Sequence, residues 1–221
     1  MIKISSPSKM KIRNAKVGCW SLEARVSCPG SVGPNGKIVE VCKSCYATKG
    51  MYRFPNTKKV RQHNKQDYHR DDWVDDMIKE VSKYDYFRWF DSGDIETPEL
   101  AKKIHAVIKA TPNVKHWLPT RSDKVNTIKD YLVLKQAGDR MAYTDNLATL
   151  PNIATRFSAD SIGLNNNERP GVNSYVIRHE EIFEAKKQGI FVCPVGINLN
   201  QKSCDTCTAC YTNQKVAYVL H

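Results

Sequence analysis

Tyr86-Phe87-Arg88-Trp89-Phe90-Asp91-Ser92-Gly93-Asp94-Ile95-Glu96-Thr97-Pro98-Glu99-Leu100 contains a complete strand-to-helix connection. The aromatic run from Tyr86 to Phe90 suits a strand, and Asp91-Ser92-Gly93-Asp94 ends it with turn residues. Thr97, Pro98 and Glu99 then stand in the order of N-cap, first helical position and first-turn acid. Leu100, Ile104, Val107 and Ile108 recur at helical spacing and supply one apolar stripe.

The unit repeats on both sides. Upstream, a helix is expected from Tyr68, carrying Trp73, Met77 and Val81 on one face. Downstream, Val114–Leu118 reads as a strand, and Ser122 caps a helix with Val125, Ile128 and Leu132 that stops at Gly138. Short strands are expected at 140–144, 154–158 and 174–178. A helix over 180–188 closes at Gly189 and is followed by a strand at 190–193. This alternation predicts an α/β fold on a parallel sheet, as either a partial (β/α) barrel or an open sheet, with cysteine-rich metal-cluster loops at both ends of the chain. One domain is expected: an irregular cluster-binding segment over 1–67, a βα core over 68–192 and a four-cysteine tail over 193–221.

In such folds ligands gather at the carboxyl ends of the strands. Four polar clusters are expected there: Asp91-Ser92-Gly93-Asp94, Thr120-Arg121-Ser122, Thr144-Asp145-Asn146 and Ser158-Ala159-Asp160. Each alone is equally compatible with turn chemistry, whereas four on one face suggest a pocket.

The 221 residues carry 34 Lys and Arg against 23 Asp and Glu, a formal charge of +11. That balance points to polyanions such as DNA, nucleotides or another small anionic substrate. Hydrophobic residues make up 41% of the chain, which excludes wholesale disorder. No apolar run approaches a membrane span, and Met1–Lys16 has charges without an apolar core, so a cytoplasmic protein with no membrane partner is expected.

The eight cysteines fall into two groups. Cys28, Cys42 and Cys45 form one, with Cys19 upstream as a possible fourth ligand or an ordinary core thiol. Cys193, Cys204, Cys207 and Cys210 form the other. Thiols two residues apart converge on one ion more readily than they close a strained disulfide. Four ligands complete a zinc site or an iron–sulfur cluster, while three leave one position open for chemistry. The tail spacing favours [4Fe–4S] over paired zinc knuckles, with zinc the alternative. Of the six histidines, only His63, His69 and His221 have even a loose case as ligands.

Cys28-Pro29-Gly30, Cys42-x2-Cys45-Tyr46-Ala47, Arg88-x2-Asp91-Ser92-Gly93-Asp94-Ile95, Trp117-Leu118-Pro119-Thr120-Arg121 and the cysteine-rich tail resemble the phage gene product 88 family, in order from Asn14 to a final strand at 216–220. Its motifs are in turn similar to the radical S-adenosylmethionine (SAM) superfamily, although the gap from Cys28 to Cys42 is longer than usual there. The resemblance implies two [4Fe–4S] clusters. The first would have Cys28, Cys42 and Cys45 as ligands and SAM on its open iron, and a reductant such as flavodoxin or ferredoxin would supply electrons. Ser92, Gly93, Asp94 and Glu96 stand where that superfamily holds the SAM amino group.

Three functions follow as expectations. The first is a radical SAM-like enzyme acting on a nucleotide or DNA base inside the bacterial host. Asp91, Asp94 and Arg121 would be catalytic there, with Ser92, Gly93, Asp94, Glu96, Thr120, Arg156 and Ser158 around the cofactor and Arg121 and Arg156 as anion anchors. The second is a zinc-stapled nucleic-acid-binding protein using Lys58-Lys59-x-Arg61 and Lys102-Lys103. The third is an iron–sulfur protein for electron transfer or redox sensing.

Overall fold

Short apolar runs punctuated by turn residues build the strands, and amphipathic segments such as Trp73–Val81 and Pro98–Ala110 build helices. The computed structural model describes the chain apart from residues 7, 134, 138–139, 143–145, 165–169, 198–200, 202 and 221, and the side chains of 8, 135–137, 140–142 and 196. In chain order the elements are β1 (Val17–Trp20), α1 (Glu40–Lys43), α2 (Pro55–Asp67), α3 (Trp73–Val81), β2 (Tyr86–Trp89), α4 (Pro98–Ala110) and β3 (Lys115–Thr120). There follow α5 (Lys129–Leu132), β4 (Lys135–Ala137), β5 (Arg140–Ala142), β6 (Ile153–Ile162), β7 (Ser174–Ile177), α6 (Ile182–Lys187), β8 (Phe191–Val192) and β9 (Val216–Val219). Seven strands form one sheet in the order β1-β2-β3-β6-β7-β9-β8, with every pairing parallel.

The parallel α/β sheet expected from the alternation is present, with β1 and β8 at its ends. Thr97 caps α4 by accepting a hydrogen bond from the Leu100 N–H, and Gly189, at φ +71°, follows α6. Several expectations need correction. The segment 1–67 is not irregular, because it contains β1 and the 13-residue α2. The helix expected from Tyr68 begins at Trp73. Ser122 caps no long helix: a 3-10 turn over Ser122–Lys124 precedes the short α5. Gly138 and residues 143–144 lie outside the described residues, and β5 pairs antiparallel with β4, apart from the main sheet. Ser158-Ala159-Asp160 sits inside β6 rather than beyond its end.

Helix α2 escapes periodicity analysis because its buried stripe is polar: Arg61, Asn64 and Asp67. Asn64 donates to the Ser21 carbonyl, and Arg61 reaches the end of β2. The main core combines an aromatic cluster with aliphatic residues such as Leu100, Ile104 and Leu118. Trp20, Trp73, Phe87 and Trp89 are fully buried, and Trp20 meets Trp73 edge-on at 5.4 Å and Trp89 at 6.2 Å. Such pairs add about 0.5–1.5 kcal/mol each beyond burial. A smaller cluster of Ile177, Ala185, Ile190, Val192, Ala217 and Val219 closes the other end of the sheet.

Phe87 and His116 are register partners, and the offset neighbours Cys19, Arg88 and Trp117 form the next row. His116 is fully buried, accepts from the Trp89 indole N–H at 3.2 Å and donates from Nε2 to the Thr111 hydroxyl. Burial pushes its pKa down to about 3, so the folded chain holds it neutral. The unfolded chain binds that proton below about pH 6.5. Stability is therefore expected to fall between pH 6.5 and 3, at up to about 1.4 kcal/mol per pH unit from this group. Urea unfolding across that window checks it: His116→Gln, which keeps an acceptor for Trp89, should flatten the dependence, and an unchanged slope would assign it to other groups.

Candidate functional site

The connection from β1 to α2 carries the first three thiols. Cys28 precedes a 3-10 turn over Pro29–Ser31, Cys42 lies in α1, and Cys45 precedes a second 3-10 turn over Tyr46–Thr48. They are electrostatic neighbours: Cys42 and Cys45 act on Cys28, and Cys45 on Cys42. Burial pushes the Cys28 thiol up to about 12, with Asp94 adding to the rise. Burial also raises Cys42, while Arg121 and Lys124 pull it down. Adjacent thiols with raised pKa values exchange their protons for a cation when one is supplied.

The ends of β2 and β3 hold this loop. Asp94 donates its N–H to the Ser27 carbonyl at 2.7 Å. Its carboxylate accepts from the Ile95 N–H, the Thr120 hydroxyl at 2.7 Å and the Arg121 N–H at 2.8 Å. Burial nevertheless raises its pKa to about 6. Arg121 donates to the Ala159 carbonyl, and Lys124 pairs with Asp160 at 2.8 Å. Arg25 donates to the carbonyls of Cys42 and Lys43.

Other expected site residues act within the scaffold. Asp91 accepts from Ser21, Arg61 and Tyr52, and its carbonyl accepts from Tyr46 at 2.6 Å. Ser92 donates to the Leu22 carbonyl and accepts from Arg61. Gly93, at φ +77°, lies so close to Leu22 that a Cβ would come within 2.6 Å of that side chain. Glu96 pairs with Lys65 at 2.8 Å and accepts from Tyr68. Ser158 is buried beside Ser174 of β7. Thr144 and Asp145 lie outside the described residues; Asn146 caps a 3-10 turn. The expected strand-end pocket is thus largely a network of mutual hydrogen bonds. Cys19 is buried in β1 with Ser21, Asp91 and Arg88 as neighbours.

The tail group surrounds a cavity. Cys193, Cys204, Cys207 and Cys210 line it together with Met10, Trp117 and Tyr211. The other three thiols all act on Cys204, whose pKa burial raises to about 12. Cys210 lies 3.1 Å from the Tyr218 hydroxyl. Backbone hydrogen bonds tie this segment to the N-terminal strap: the Cys204 N–H donates to Lys9, and Asp205 and Arg13 are joined through both backbone and side chain. Arg156, expected as an anion anchor, is fully buried and donates to the carbonyls of Ala209, Thr212 and Gln214. It holds the tail.

Sequence reading gave Tyr46 and Arg88 no role and placed Arg61 among the phosphate contacts, whereas Arg61 is buried against Asp91 and Ser92. Arg88 stacks over Trp117 at 4.2 Å and donates to the Tyr46 hydroxyl at 3.1 Å, which brings the two thiol groups into one neighbourhood. Only the position of Tyr46 beside Cys45 signalled its place. Of the candidate histidines, His63 and His69 face Asp67 and Glu99, and His221 lies outside the described residues. Among the described residues, no three His, Cys, Asp or Glu side chains stand close enough as placed to hold a metal ion.

Fold and thiols define a parallel α/β protein with one cysteine group beyond its first strand and a second in its tail. The chain belongs to the gene product 88 family, whose family model matches residues 4–216. This is the phage family its motifs resemble, and membership brings no activity with it. No curated protein and no solved structure is matched by the chain. Among the described residues, no helix is long and apolar enough to cross a membrane.

Proposed function

We propose that the chain is an iron–sulfur protein with two [4Fe–4S] clusters, one at Cys28, Cys42 and Cys45 and the other at Cys193, Cys204, Cys207 and Cys210. In this reading the first is a radical SAM-like centre acting on a nucleotide, DNA base or similar anionic substrate. The observation that carries it is the gathering of four tail thiols around one cavity, with three more grouped beside Asp94 and Arg121. Thiolates are the donors that iron–sulfur clusters require, and three of them leave one iron free of protein. Such a cluster, when bound with SAM, supplies one-electron chemistry to the substrate.

The chain's own residues set the stage. Asp94 fixes the Cys28 loop against the ends of β2 and β3 through its four hydrogen bonds. Arg121 and Lys124 place positive charge beside Cys42, which offsets thiolate charge and attracts a carboxylate or phosphate. Ser92, bonded to the Leu22 carbonyl just beyond β1, and Glu96, paired with Lys65 of α2, support a bracing role beside this site. A reductant such as flavodoxin or ferredoxin would deliver electrons.

The test is anaerobic purification with iron, sulfide and zinc analysis and an absorbance spectrum. About eight irons per chain are expected. Cys28→Ala should remove about half of the iron and abolish SAM cleavage while the tail group stays loaded. Two zincs without iron would overturn the proposal, as would SAM cleavage that survives Cys28→Ala.

A further inference from the structure

The loop that carries the first thiols has a second, unused property. Residues 25–59 hold seven basic residues and one acid, Glu40, a net +6 of the chain's +11. Even Glu40 is engaged, with its carboxylate accepting from the Ile162 N–H of β6. All seven basic residues are exposed.

Apolar side chains crowd the same stretch. Six of the ten exposed large hydrophobic residues among the described ones lie between Val26 and Phe54, including Tyr46 at 56%, Met51 at 72% and Phe54 at 57% exposure. These last three occupy contiguous turns: Tyr46 and Tyr52 rings meet edge-on at 5.6 Å, and the Phe54 N–H donates to the Met51 carbonyl. The Tyr46 hydroxyl is satisfied on both sides, donating to Asp91 and accepting from Arg88, so what faces solvent is a ring held by its buried end. Lys49 and Arg53 are interleaved with these rings in sequence, and Lys58 and Lys59 follow them.

A basic face alone is ordinarily a solvated surface, and exposed aromatics alone are unremarkable singly. Together, cations for phosphates and fixed flat rings for bases are the two components of single-strand recognition. A duplex keeps its bases stacked inside and offers such rings nothing. We infer that residues 25–59 form a docking surface for single-stranded nucleic acid around the first thiol group. The inference rests on the proposed function only for what the strand is delivered to: it names the substrate of that site as a base within a polymer.

The experiment measures anisotropy of a labelled oligothymidylate of about 20 nucleotides with the full, anaerobically purified chain, and metal content in the same preparation. Tighter binding than to a duplex of equal length is expected, weakening as salt rises. Phe54→Ala should lower affinity about ten-fold, with helicity and metal content unchanged. Lys49→Ala and Arg53→Ala should each reduce the salt slope by about 0.7. Equal affinity for duplex, indifference to Phe54→Ala, or binding only to anionic lipid vesicles would overturn it. A metal-free chain that still binds the strand would sink the proposed chemistry and keep the surface; a loaded chain that ignores the strand would do the reverse.

Discussion

Gly30→Ala is expected to release the first thiol group while sparing the tail group. A Cβ at this position would lie 2.3 Å from the Arg121 carbonyl oxygen and 2.5 Å from its carbon. Both are backbone atoms at the end of β3, and the Arg121 N–H is itself bound to Asp94. Neither side can yield cheaply, so the Cys28 turn must lift from the strand ends. Overpacking of this kind costs about 1–3 kcal/mol, and a backbone clash belongs at the upper end. Metal analysis beside urea unfolding checks the result: under the proposed iron–sulfur reading, iron should fall by about half, with absorbance from a tail cluster retained. Full retention of both metals would show that the turn does not depend on this contact.

Arg156→Met should produce the largest loss of stability. The guanidinium is fully buried and serves three carbonyls, of Ala209, Thr212 and Gln214, from a strand more than fifty positions away in sequence. Methionine fills part of the volume and takes the donor from the Ala209, Thr212 and Gln214 carbonyls, of which only Ala209 keeps others among the described residues, the Thr212 N–H and hydroxyl. Hydrogen bonds to a charged group are worth about 1.5–3 kcal/mol each, and their loss is offset in part by no longer burying a cation. A net loss of about 4 kcal/mol is expected. Hydrogen exchange over 204–214 should rise with it, and the tail thiols should lose metal before the first group does. Wild-type protection across that segment would remove Arg156 from its anchoring role.

Much of the sheet was legible because short aromatic and β-branched runs between turn residues have few alternatives. Tyr86 to Phe90 and Thr97-Pro98-Glu99 are the clearest cases, and the structure returns both nearly unchanged. Helix α2 was illegible for the opposite reason. Its sequence, Pro55–Asp67, has Val60 as its one aliphatic residue, and it buries Arg61, Asn64 and Asp67. A polar stripe leaves no periodic hydrophobic signal, and it becomes stable only once Asp91, Ser92 and Ser21 are there to bond it. The polar clusters at strand ends were legible as clusters but not as to use. Asp91 accepts from Ser21, Ser92 donates to the Leu22 carbonyl, and Thr120 donates to Asp94.

By itself the sequence determined the alternation of strands and helices, the cap of α4, the charge of the 25–59 loop and the division of the cysteines into two groups. Those properties depend on neighbours a few residues apart, where backbone geometry leaves little choice. Tertiary structure alone decided that β9 lies between β7 and β8, that Cys19 stays in the core, and that Arg61 and Arg156 are structural cations rather than anion anchors. A long charged side chain takes whichever buried partner the fold brings to it. For Arg156 that partner is a tail whose position exists only after the sheet has formed.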